Sequence, residues 1–247
     1  VVRILIANTK GGCGKTTVTT SLAGFFASHG KRTTIVDCDP QQSSAAWAQS
    51  RPTSLPRIDC VASGHPGHGI AAGFVLKIPP TTECLLLDTP AGLRTHELAQ
   101  LARHAQVLLA PVIPSAIDLR ATGTFLTELR RLPEVRSGAL RVGLIANRVR
   151  PRTTAAKNLD LALERLTHAA LVRVRDAQLY VNLIAAGRSV FDDPSALARE
   201  HRGDWLPLLG WLLNPSKPTQ AGLAPEPAAA PAGETGNVVA LPQRSGA

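Results

Sequence analysis

A chain of 247 residues with 44% hydrophobic and 18% charged residues has material for one large α/β domain or two small ones, which excludes a wholly disordered chain. No stretch approaches eighteen consecutive apolar residues, so a membrane-spanning helix is excluded as well. The formal net charge is +9, and residues 130–175, with eleven Arg and Lys against three acids, supply +8 of it, a concentration that points to a polyanionic partner, nucleic acid or anionic lipid.

In chain order, residues 1–7 read as an apolar strand, followed by a Gly-rich turn and a helix over 15–29. Further strands are expected at 32–36, 58–62, 83–88, 105–110 and 140–147. Helices are expected at 43–50, 93–104, 118–132, 153–168, 177–186 and 194–213. The strand segments are apolar throughout rather than alternating, as strands buried on both faces of a parallel sheet should be. Their alternation with helices predicts a doubly wound, mostly parallel α/β sheet with helices on both faces, filling residues 1–213. From Asn214 onward six prolines accompany Ala, Gly, Thr and Ser, a composition expected to form a disordered tail over 214–247. The opening strand, with no basic leader before it, predicts no secretory signal and no N-terminal helix-turn-helix.

Cys13, Cys38, Cys60 and Cys84 stand singly with no CxxC spacing, which speaks against a disulfide framework, zinc ribbon or iron–sulfur ligation and for a reducing cytoplasm. His65 and His68, in a Gly/Pro-rich segment, read as loop residues rather than metal ligands.

The chemistry is concentrated in Asn8-Thr9-Lys10-Gly11-Gly12-Cys13-Gly14-Lys15-Thr16-Thr17, directly after the first strand. A strand, a glycine-rich turn and a helix opening on Gly-Lys-Thr make an anion cradle. The glycines let backbone N–H groups converge on phosphate oxygens, and the helix N-terminus adds its positive end. Lys15 is placed to meet the β- and γ-phosphates and the Thr16 hydroxyl to complete a Mg²⁺ shell.

The pattern KGGxGKT, with Lys10 five residues before Lys15, resembles the deviant Walker A loop of the ParA/MinD family of P-loop ATPases. Ile35-Val36-Asp37-Cys38-Asp39-Pro40-Gln41 resembles that family's DxDPQ segment, and Leu85-Leu86-Leu87-Asp88-Thr89-Pro90 its Walker B strand. Pro111 to Leu119 is similar to its PxxPSxxDL segment at the dimer face, and Ile145-Ala146-Asn147-Arg148-Val149 to its NRV stretch. Arg175-Asp176 and the segment from Ala185 to Val190 match later parts, so the likeness covers about residues 2–212.

The resemblance implies that ATP and Mg²⁺ are the cofactors, with Lys10, Gly11, Gly12, Cys13, Gly14, Lys15, Thr16, Thr17 and Asn147 around the nucleotide, Asn147 at the adenine. Thr16, Asp37 and Asp88 would serve the Mg²⁺. Lys10, Lys15 and Asp39 would be the catalytic set, with Asp39 on the attacking water. Lys10 would act across a homodimer on the partner's nucleotide, and intrinsic turnover would be weak.

Within that family a MinD-like membrane-associated role calls for a C-terminal basic amphipathic helix. Here the chain instead runs through Trp205 and Trp211 into the Pro/Ala stretch. The partition branch, whose ATP-bound dimers hold nucleoid DNA without sequence preference, fits the basic block. Arg173 and Arg175 are the first candidates for double-stranded DNA, with Arg150 and Arg152 next and Arg148, Arg199 and Arg202 behind them. A cargo-bound, ParB-like activator would complete the cycle in a cytoplasmic, nucleoid-associated protein. The cargo, whether plasmid, chromosome or a protein assembly such as a carboxysome or chemoreceptor cluster, stays open. So does a dimerisation switch with negligible turnover.

Overall fold

The computed structural model describes residues 1–62, 77–165 and 170–214. The segment 215–247, expected to be a disordered tail, and the pair His65 and His68 lie outside them. Among the described residues seven strands form one sheet: β1 (Val2–Ile6), β2 (Thr33–Asp37), β3 (Ile58–Ala62), β4 (Cys84–Asp88), β5 (Val107–Val112), β6 (Arg141–Val149) and β7 (Ala170–Arg175). Their spatial order is β3-β2-β4-β1-β5-β6-β7 and every neighbouring pair is parallel. These strands therefore all present their carboxyl ends on one side, where ligands of such sheets bind.

The central strands are largely apolar because both faces are covered. Along β1, Ile4 and Ile6 enter one core and Leu5 the other, the period-two alternation of a strand. The first core takes in α1 (Lys15–Ser28) and α2 (Ser43–Gln49), together with three helices from the end of the described chain, α7 (Gln178–Ala185), α8 (Ala196–Gly203) and α9 (Leu206–Leu213). The second takes in α3 (Thr95–Ala102), α4 (Ala116–Arg131), α5 (Pro133–Arg136) and α6 (Thr154–Arg165). Trp47 and Trp205, both almost fully buried, anchor the first core, and the Trp205 indole N–H donates to the Tyr180 hydroxyl at 3.0 Å.

Three expectations are corrected. The helix expected over 194–213 is two helices, with Pro207 in the first turn of α9, where its missing N–H leaves no intrahelical bond unmade. Strand β7 was not among the expected strands. It is an edge strand, with Val172 and Val174 buried and Arg173 and Arg175 alternating between them, so it lacks the continuous apolar run of its neighbours. The short helix α5 was also unforeseen. The remaining elements form where expected, with ends shifted by a few residues, as at β5, which runs over 107–112 instead of 105–110.

The basic block splits in the fold. Arg130, Arg131, Arg136 and Arg141 lie at the ends of α4 and α5 and the start of β6, the amino-terminal side of the sheet. Arg148, Arg150, Arg152, Lys157, Arg173 and Arg175 gather around the carboxyl ends of β6 and β7. Arg141 stacks on Trp211, its guanidinium 3.9 Å from the ring centre, and donates to the Trp211 carbonyl at 2.8 Å.

Candidate functional site

The Gly-rich loop leaves β1 and enters α1 at Gly14, whose φ of 93° is left-handed, a region that disfavours a side chain. A Cβ there would lie 2.0 Å from the Asn147 Nδ2, so the close approach of β6 requires glycine on two counts. Asn147 is buried, and its Nδ2 donates to the Cys13 carbonyl at 2.8 Å, fixing the loop from β6, the second strand over from β1. At the loop's other end the Asn8 side chain donates to the Pro111 carbonyl at 2.8 Å and accepts from the Lys10 N–H at 3.1 Å.

The two lysines are held differently. Lys15 is buried, with its Nζ donating to the Lys10 carbonyl at 3.1 Å. The Lys10 side chain is 39% exposed, and its Nζ lies 3.4 Å from Asp118 Oδ1 at the start of α4. Cys13 points inward and its thiol donates to the same Lys10 carbonyl at 3.3 Å; burial raises its pKa against the pull of Lys15. Gly11 and Gly12 are exposed at the loop's crest, and Thr16 and Thr17 are half-buried in the first turn of α1.

Asp37 and Asp88 end neighbouring strands and face each other in the β2–β4 register. Asp88 Oδ2 accepts from the Thr16 hydroxyl at 3.0 Å and from the Ser44 hydroxyl at 2.5 Å, while its buried Oδ1 has no partner among the described residues. Burial pushes the Asp88 carboxyl up to about 6. The Ser44 hydrogen bond opposes that rise, Asp37 adds to it, and Thr16 and Lys15 counter it further. Burial also raises Asp37, although its Oδ2 accepts from the Ala45 N–H at 2.9 Å and its Oδ1 from the Asp39 N–H at 3.0 Å. A buried carboxylate oxygen left without a partner, next to a hydroxyl at a helix N-terminus, fits the donor chemistry of a Mg²⁺ site. Asp39 is only partly buried, and its Oδ1 accepts from the Gln41 N–H at 2.9 Å.

The sequence candidates Lys10, Gly11, Gly12, Cys13, Gly14, Lys15, Thr16, Thr17, Asp37, Asp39, Asp88 and Asn147 thus converge on one end of the sheet. The sequence assigns no role to Ser44 or Asn8 and does not announce the contact of Lys10 with Asp118. Ser44 had one usable signal, a hydroxyl residue opening a helix just after the DxDPQ segment.

Arg148, Arg150, Arg152, Arg173 and Arg175 lie at the β6–β7 edge, while Arg199 and Arg202 sit in α8, donating to the Pro194 and Val190 carbonyls. Arg152, Lys157, Arg173 and Arg175 line a cavity of about 550 Å³ together with Asp160 and Asp204. Arg173 donates to Asp160 at 2.7 Å and Arg150 to Asp176 at 2.8 Å. Arg175 donates to Asp204 at 2.9 Å and to Glu200 at 2.5 Å; the two hydrogen bonds raise its pKa still further. Arg152, at φ 66°, and Lys157 are both exposed.

A family model described as the CobQ/CobB/MinD/ParA nucleotide binding domain matches residues 4–189. The chain belongs to this family. Among its relatives it is 29% identical over 193 residues to maintenance of carboxysome distribution protein A of Halothiobacillus neapolitanus, covering 76% of this chain and 86% of that protein. It is also 32% identical over 120 residues to the protein of the same name from Gloeobacter kilaueensis, covering 47% of this chain and 51% of that one.

Solved structures of the ParA/MinD fold are similar at low identity. A plasmid partition protein of Borrelia burgdorferi bound to AMPPNP superposes with a TM-score of 0.66 at 16% identity, over 85% of this chain and 100% of that one. The ATP complex of a Cyanothece McdA variant gives 0.61 at 17%, over 84% and 96%. The two-lysine loop described above thus lies within a CobQ/CobB/MinD/ParA nucleotide binding domain. Among the described residues of this family member, no helix is long and apolar enough to cross a membrane.

Proposed function

We propose that this chain is a ParA-type ATPase whose ATP-bound form is a homodimer that holds double-stranded DNA non-specifically and positions a cargo. The observation that carries the reading is the unequal placement of the two loop lysines. Lys15 lies buried along its own loop, while Lys10 is 39% exposed at the rim, its ammonium 3.4 Å from Asp118, a placement that supports a role toward a neighbouring subunit. In this reading Lys15 and the N–H groups of residues 11–17 hold the phosphates. Asp39 orients the attacking water, and Lys10 puts positive charge on the partner's nucleotide, as an arginine finger does in trans.

Thr16 and Asp88 would hold Mg²⁺, with Asp37 supporting the loop beside it. Bound there, Mg²⁺ would neutralise charge on the β- and γ-phosphates. Asn147, whose amide nitrogen braces Cys13, keeps its side-chain oxygen for the base. The ordered domain would end near residue 213, with the Pro/Ala-rich stretch as a tail. The cycle would run in the cytoplasm, on the nucleoid.

For DNA, the exposed Arg152 and Lys157 are the better phosphate contacts. Arg150, Arg173 and Arg175 are engaged with acids, and Arg175 bridges to the α8–α9 junction. For cargo, the two relatives named for carboxysome distribution favour a protein assembly over a plasmid or chromosome, with a cargo-bound protein as activator.

Sedimentation of the full chain with ATP, with ADP and with Lys10→Ala tests the core of this reading. The expected result is a dimer with ATP alone, lost or inactive in Lys10→Ala. A chain that remains monomeric with ATP and hydrolyses it equally well without Lys10 would overturn the proposal. Hydrolysis too slow to measure with DNA and activator present would leave a nucleotide-dependent switch instead.

A further inference from the structure

We infer that Ser44 is a positioning residue for the cation end of the nucleotide pocket, joining the loop that carries Asp39 to Asp88. The inference rests on the proposed Mg²⁺-nucleotide reading and concerns a residue outside the phosphate loop and both acidic motifs. Ser44 is fully buried in the first turn of α2, and its hydroxyl donates to Asp88 Oδ2 at 2.5 Å. The next residue, Ala45, donates its backbone N–H to Asp37 Oδ2 at 2.9 Å. Two successive residues of α2 therefore grip two carboxylates that face each other across β2 and β4. Asp37 Oδ1 closes the circuit by accepting from the Asp39 N–H at 3.0 Å. The segment from Asp39 to Ala45 is thereby fastened at both ends to the carboxylate pair.

The division of labour at Asp88 follows from its geometry. Oδ2 is filled by Thr16 and Ser44, so the buried Oδ1 is the oxygen left to face a cation's shell. Thr16 is itself a proposed ligand, and its hydroxyl would serve both the cation and Asp88. The Ser44 hydroxyl is the contact that orients the carboxylate from outside that shell. Such supporting hydrogen bonds fix ligand orientation, and their loss commonly weakens metal binding by about 10–100-fold.

The test is Mn²⁺ binding to the full chain in the presence of ADP, followed by the electron paramagnetic resonance of free Mn²⁺, with metal-free ADP affinity measured in parallel. Ser44→Ala should keep metal-free ADP affinity within about twofold and lose Mn²⁺ affinity by about tenfold or more. Ser44→Thr, which restores the hydroxyl, should recover most of that loss. Ser44→Cys, close in shape with a weaker donor, should fall between them and serves if Ser44→Ala does not fold. Undiminished Mn²⁺ affinity in Ser44→Ala or Ser44→Cys overturns the inference. Equal loss of metal-free ADP and Mn²⁺ affinity also overturns it, because it marks a merely structural role. If the wild-type chain binds ADP but no Mn²⁺, the Mg²⁺-nucleotide reading fails instead.

Discussion

At the carboxyl ends of β1, β2 and β4 the polar side chains are buried and interlocked. Lys15, Asp37, Ser44 and Asp88 are each nearly inaccessible and joined by short hydrogen bonds to backbone or to one another. At the ends of β6 and β7, a few strands away on the same side of the sheet, most of the charged groups stand in water, Arg175 and Asp204 being the more covered pair. Arg173 and its partner Asp160 are 55% and 39% exposed, and Arg150 is 76% exposed. Solvent screens such pairs, whereas a buried group left without its partner bears its full desolvation cost. The first region therefore suits a ligand held in one geometry, and the second a partner held by summed charge whose position can slide.

Substitutions can break this contrast, and the largest effect is expected at the loop. Lys15→Ala should abolish ATP binding, by more than about 100-fold in a fluorescent-nucleotide titration, because a preorganised cation at the phosphates is lost. Wild-type affinity would remove the loop assignment.

Ion pairs sharpen the comparison. Arg51 and Asp192 form a bidentate pair with side chains only 4% and 1% exposed. Arg51→Ala should cost about 3–5 kcal/mol in chemical denaturation by stranding Asp192. Burial alone would raise the Asp192 pKa, but the hydrogen bonds from Arg51 and Ser189 outweigh it and hold the carboxyl below its ordinary value. A carboxyl with a depressed folded pKa adds stability above its unfolded pKa, and that stability is lost as pH falls through the folded value. Wild-type protein should therefore lose its advantage over Arg51→Ala on acidification below about pH 4, read from denaturation midpoints across a pH series.

Asp39→Ala should keep nucleotide binding and dimerisation yet slow single-turnover hydrolysis by about 100-fold, within the range for loss of general-base assistance. Unchanged turnover would free Asp39 of its proposed role. The double variant Arg152→Glu/Lys157→Glu should weaken DNA retention on all sequences alike and lower the salt dependence by about two counterions. An unaltered salt slope would move the DNA surface elsewhere. The smallest effect is expected for Arg173→Ala, where breaking an exposed pair should change stability by less than about 1 kcal/mol in thermal denaturation.

The loop was legible because its requirements are local. Gly14 must adopt a left-handed φ, Lys15 and Thr16 follow it at fixed places on a helix, and Asp37 and Asp88 end apolar runs. Strand β7 was harder to read because an edge strand buries one face only, so Val172 and Val174 alternate with arginines. Pro207 would be interior to a continuous helix over 194–213, where it breaks the ladder, and it instead sits in the first turn of α9, a local start signal that the hydrophobic pattern alone hides. Arg173 and Arg175 looked equivalent as charges. Among the described residues the fold pairs the first with the half-exposed Asp160 and the second with two acids from the α8–α9 region.

By itself the sequence determined the strand–helix alternation, the phosphate loop and the order of its acidic companions. These depend on backbone freedom and side-chain period over a few residues. The tertiary structure alone decided that Asn147 would brace Cys13 from 134 positions away, that Ser44 would share Asp88 with Thr16, and that the basic block would divide between opposite ends of the sheet. Such contacts are set by strand order and register, which bring distant segments side by side, and no local pattern encodes which distant group will arrive.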